Sequence, residues 1–134
     1  MSANDNRDDF TQDTITRLRS RVTNRCSNPA CRVPTTGPTT DPQKFNNIGV
    51  AAHICAAAPG GPRYDVTMTS EQRKNIENGI WLCSSCSTDI DRDPTLYTKE
   101  ILHQWKTEAE RLVREEMGQK LPSNNDVINT VAAA

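Results

Sequence analysis

A chain of 134 residues has room for one domain and a tail, since domains most often run to ~100–150 residues, and this argues against a two-domain enzyme within it. Only 34% of residues are apolar and 4% aromatic, so the core is thin and some cross-link is expected to hold it. A net charge of −1 excludes the global basic field of many nucleic-acid binders, and no apolar run approaches the ~18 residues of a membrane span.

Residues 1 to about 12 are polar and acidic with almost no apolar anchor, so 1–13 reads as a disordered lead-in. Asp13 is placed to cap a helix running to about Val22, with Ile15, Leu18 and Val22 on one face. From Thr14 to Thr40 there are five arginines (17, 19, 21, 25 and 32) and no acid, a basic stripe whose plain reading is a solvated face. Cys26-Ser-Asn-Pro-Ala-Cys31 forms a knuckle around the Asn28-Pro29 turn signal, and the Pro-, Thr- and Gly-rich stretch from Arg32 to Lys44 reads as loop. Ile48–Ile54 is a short apolar run that suits a strand ending at His53, broken by Pro59-Gly60-Gly61-Pro62.

Thr69-Ser70-Glu71-Gln72 fits a capping box opening a helix that Asn78-Gly79 ends. Ile80-Trp81-Leu82 is a second short strand. After Cys83-Ser-Ser-Cys86 a helix runs to about Asp91 and stops before Pro94. Thr98 caps the last helix, whose apolar stripe is Ile101, Leu102, Trp105, Ala109, Leu112 and Val113. Gly118 ends it, leaving 118–134 as a tail or linker.

Two close cysteine pairs, Cys26/Cys31 and Cys83/Cys86, lie about fifty residues apart. One tetrahedral Zn2+ suits them, because four thiolates at ~2.3 Å need two tight turns that each offer two sulfurs. The bland reading is four buried thiols. A four-cysteine site is closed and structural, a treble-clef-like arrangement, and the fifth cysteine, Cys55, is expected to pack in the core. Reduced, metal-binding cysteines without a secretory leader point to a cytoplasmic protein.

Ala52-His53-Ile54, then Gly60-Gly61-Pro62-Arg63-Tyr64-Asp65, then Asn78-Gly79-Ile80-Trp81-Leu82-Cys83-Ser-Ser-Cys86, then Ile90-Asp91 and Trp105-Lys106 stand in the order and spacing of one known domain. Over roughly residues 14–117 the chain resembles a zinc-bearing HNH endonuclease domain, of the kind found in restriction systems and in antiphage effectors that join the nuclease to a cyclic-nucleotide sensor called SAVED. The resemblance implies an α+β, ββα-metal fold with flanking helices. It implies metal-dependent hydrolysis of DNA phosphodiesters with little sequence specificity, in phage defence or restriction. His53 takes the role of general base, and a Mg2+ or Mn2+ ion stabilises the leaving 3′ oxygen. Asn78 matches the motif's middle letter, although Asn-Gly is equally a plain turn.

The chain departs from the family pattern where the last motif histidine is Ser87 and where Ala52 precedes His53. Asp91, four residues after Ser87 and on the same helix face, is then the first candidate for the catalytic ion; Asp65 and Asp89 are second candidates. The plain alternative for Asp89, Asp91 and Asp93 is helix surface and capping. Phosphate contacts with double-stranded DNA fall to Arg17, Arg21, Arg25 and Arg63, with Arg19, Arg73 and Lys74 nearby. So few cations imply weak binding alone, hence a homodimer or a fused or associated nucleotide-sensing module. The competing functions are a noncatalytic zinc-binding DNA module of the same fold, and a protein-interaction domain presenting the stripe around Trp105.

Overall fold

The computed structural model describes residues 7–120. Helix α1 (Gln12–Arg21) leads to a knuckle, a small hairpin of β1 (Thr36–Pro38) and β2 (Phe45–Asn47), and strand β3 (Gly49–His53). Helix α2 (Ser70–Lys74) and a 3-10 turn (Ile76–Asn78) precede β4 (Gly79–Cys83), α3 (Ser84–Arg92) and the long α4 (Lys99–Glu116). The result is an α+β domain with four helices and two antiparallel two-stranded sheets. Among the described residues no helix is long and apolar enough to cross a membrane.

The central pair is β3 against β4, in the register Gly49↔Cys83 to His53↔Gly79. Because side chains alternate along a strand, β4 buries both of its faces. Ile80 and Leu82 pack with Ile54, Ile90 and Leu102, whereas Trp81 points into a second cluster with Val22, Ala109 and Val113. The Trp81 ring fills the place of a side chain at position 49. A Cβ on Gly49 would lie 2.1 Å from it, so glycine is required there. Trp81 Nε1 donates to Thr35 Oγ1 at 3.0 Å, which satisfies the buried indole.

Several sequence expectations need adjustment. The cap of α1 is Thr11, whose hydroxyl accepts from Thr14 N, rather than Asp13, which sits in the first turn. The stretch read as loop contains β1 and β2. Residues 7–13 were expected to lack structure, yet Asp8 N donates to Ala57 O at 3.0 Å and α1 begins at Gln12. The Trp105 stripe faces inward: Trp105 packs on the core and meets Tyr97 edge-on at 5.6 Å. The expected tail is described only to residue 120; 121–134 lie outside the described residues, as do 1–6 of the lead-in.

Candidate active site and metal centre

The sulfurs of Cys26, Cys31, Cys83 and Cys86 all lie within 4.8 Å of one another. A tetrahedral ion with ~2.3 Å bonds to sulfur requires S–S edges of about 3.8 Å, and Cys31 and Cys83 stand 3.9 Å apart. The cluster could therefore hold a structural metal such as zinc. Local chemistry explains the convergence. In the knuckle, Asn28 Oδ1 accepts from Ala30 N at 3.0 Å and Cys31 N donates to Asn28 O at 2.9 Å, a turn that sets Cys31 beside Cys26. Ser27 N donates to Trp81 O at 2.9 Å, tying the knuckle to β4. On the other side Cys83 is the N-cap of α3, its sulfur accepting from Cys86 N at 3.4 Å, and Asn28 Nδ2 reaches Cys86 Sγ at 3.4 Å. Burial pushes the Cys26 and Cys86 thiols up. At Cys83 burial acts in the same direction, but the hydrogen bonds from Cys86 and its sulfur neighbours outweigh it and hold the thiol low.

His53 closes β3. Around it lies a pocket of about 300 Å³ whose wall includes Ala52, Ser87 and Asp91, together with Arg7 from the N-terminal segment. His53 Nε2 lies 2.8 Å from the carbonyl oxygen of Asp8. A carbonyl only accepts, so Nε2 carries the hydrogen and Nδ1 of the neutral ring keeps its lone pair. Nδ1 has no hydrogen-bond partner among the described residues and is not sealed from solvent. The ring of Phe10 stacks on the imidazole at 3.9 Å between centroids and 7° between planes. Burial lowers the His53 pKa; the Asp8 carbonyl opposes this and nearby Arg7 adds to it.

Asp91 is exposed on α3 with one oxygen held by Arg63, Nη2 to Oδ1 at 3.1 Å. Arg63 itself adopts a left-handed backbone at φ 58°. Its side chain is only 6% exposed and donates to Ile54 O at 2.6 Å, to Ile90 O at 2.8 Å and to Tyr97 O at 3.3 Å. This corrects the expectation that Arg63 contacts DNA: the guanidinium ties the loop to α3 and orients Asp91.

Asn78 is buried and hydrogen-bonded at both ends of its carboxamide. Its Oδ1 accepts from Cys55 N at 2.9 Å, and Nδ2 donates to Cys55 O at 2.9 Å and Arg73 O at 3.0 Å. Both Nδ2 hydrogens are used, and the carboxamide fixes the backbone two residues after His53. Asp65 is not brought to the His53 pocket. It faces the clefts around Cys55 and Lys99, and the hydroxyl and N–H of Thr67 hold its carboxyl below the usual range. Asp89 is exposed on α3 and lines none of these pockets. Cys55 is buried in the core as expected.

Of the arginines assigned to DNA, Arg17 is exposed, Arg21 pairs with Glu110, and Arg25 donates to Arg32 O at 3.2 Å. Sequence reasoning missed Arg7, Asp8 and Phe10. The available signal was Phe10, a lone aromatic in an otherwise polar, acidic segment. The chain matches no protein-family model and no curated protein.

Proposed function

We propose that the chain is a metal-dependent DNA endonuclease of HNH type in which His53 is the general base and the four-cysteine cluster holds a structural Zn2+. The observation that supports it is the meeting of His53, Ser87 and Asp91 around one pocket, in a domain that also carries the four-sulfur cluster. Two segments far apart in sequence, β3 and α3, converge there, and the resemblance to HNH nucleases supplies the reading of them. By the resemblance to restriction and antiphage nucleases, this activity is directed at foreign DNA.

Mg2+ binds through one or two carboxylates, retains several waters and is completed by phosphate. Asp91, whose Oδ1 is held by Arg63, is the carboxylate on this wall and would be the protein ligand, with waters and phosphate completing the ion's sphere. When bound, a divalent ion there offsets charge on the attacked phosphate and on the leaving 3′ oxygen. The chain's own residues do the rest. Nδ1 of His53 takes a proton from water as its oxygen bonds to phosphorus, and the P–O3′ bond breaks, leaving a 5′ phosphate and a 3′ hydroxyl protonated from solvent. Arg7, on the pocket wall with its Nε paired to Asp9 at 3.1 Å, would offer its remaining donors to a phosphate oxygen in the role first assigned to Arg63.

Nicking of supercoiled plasmid tests this. Protein freed of loosely bound divalent ions should be inactive and recover nicking on addition of Mg2+ or Mn2+. DNA binding without nicking under any divalent ion would favour the noncatalytic DNA module, consistent with the unreactive Ala52 in the same wall. Neither binding nor nicking would remove both readings.

A further inference from the structure

Residues 7–10 precede every strand and helix among the described residues, yet Arg7 lines the His53 pocket and Asp8 and Phe10 touch the histidine itself. Four contacts anchor them. Asp8 N donates to Ala57 O at 3.0 Å, Asp8 O accepts from His53 Nε2 at 2.8 Å, and the Asp8 carboxylate pairs with Arg73 Nη1 at 3.4 Å. The fourth is the Phe10 stack on the imidazole. The Asp8–Arg73 pair is largely buried, with side chains 15% and 11% exposed, so it is more than a surface contact.

The fold makes room for the ring. Gly79 is the strand partner of His53. A Cβ there would lie 3.0 Å from Phe10 Cζ and 2.6 Å from Leu18 Cδ1, so Phe10 lies where the missing side chain leaves a gap beside the histidine. The pocket stays open with the segment in place, Arg7 lining its wall, so the segment does not plug it.

We propose that Asp8 and Phe10 are positioning residues for His53: the carbonyl of one fixes which nitrogen carries the hydrogen and the ring of the other fixes the plane of the imidazole. This role rests on His53 being the base. An imidazole at the end of a two-stranded sheet otherwise rotates about two side-chain bonds, and a base that samples several orientations loses rate without losing substrate affinity.

The test combines long-range 1H–15N spectra of the His53 ring with plasmid nicking in the full chain, for the wild type, Phe10→Ala, Phe10→Tyr and Asp8→Ala. His103, exposed on α4, serves as an internal control. The wild type should show a single tautomer, hydrogen on Nε2, with a protected Nε2–H. Phe10→Ala, and Asp8→Ala, which keeps the carbonyl but releases the Arg73 pair that anchors it, should lose that protection and lower kcat for nicking by about tenfold at unchanged KM, with unchanged metal content. Phe10→Tyr should restore both readouts.

Unaltered His53 spectra in both alanine variants would overturn the proposal. So would faster nicking by Phe10→Ala, which would mark the segment as a lid. A wild type that does not nick at all would defeat the endonuclease reading instead, and the spectra alone would then decide whether the segment holds the ring.

Discussion

The imidazole of His53 is shaped by three neighbours that differ in kind: a carbonyl on Nε2, an aromatic ring on its face, and an exposed arginine close enough to matter. Burial is the strongest influence and favours the neutral form, the form a base requires. The acid limb of kcat/KM for nicking should therefore fall below pH ~6.5, and a limb at or above that value would show the ring to be more solvated than the structure has it. The same shift acts on stability. The unfolded chain holds the His53 proton more tightly than the folded chain, so its contribution to stability is complete above ~6.5 and is lost as pH drops from there towards the lower folded value.

Asp91 and Arg63 show where residue-level reading succeeds and fails. That Ser87 and Asp91 share a helix face follows from the 3.6-residue repeat alone, and both do line the pocket. That Arg63 turns inward to three carbonyls depends on a left-handed residue in a Gly-Gly-Pro-Arg loop, which no periodicity encodes.

At the scale of elements, Asn78 links the 3-10 turn before β4 to the chain just beyond β3. Its carboxamide closes a two-way bridge with the backbone of Cys55 and adds a third bond to Arg73 O. Asn78→Ala should lower stability by about 2 kcal/mol or more, because it strands a buried N–H and two carbonyls, a loss that a denaturant titration would read. An unchanged midpoint would mean that water replaces the amide.

Legibility followed how local each signal is. The capping box of Thr69 and Gln72 was readable because both bonds lie within four residues, and both are formed. Helices α3 and α4 matched for the same reason, each opened by a cap and closed near a breaker. The β1–β2 hairpin was missed because its three-residue strands are largely exposed and show no apolar alternation. Packing of residues 7–10 was missed because its partners are 43 to 65 positions away and carry no pattern a window can hold.

Across the whole molecule, two small clusters on opposite faces of one two-stranded sheet make the core, and the sulfur cluster joins the knuckle to the start of α3. Such a core is too thin to tolerate loss of the metal cross-link proposed for the four sulfurs. Cys83→Ser should release the metal and unfold the domain at ordinary temperature, and chelation of the wild type should do the same. A soluble Cys83→Ser protein melting like the wild type would show that the sulfurs merely pack.

The central claim is that this cross-linked scaffold presents an imidazole for phosphodiester hydrolysis, and the rate of plasmid nicking by His53→Ala tests it most directly. With zinc content and melting unchanged, the variant should be slower than the wild type by at least about a hundredfold. Nicking at the wild-type rate would contradict the account, whatever the fold of the variant.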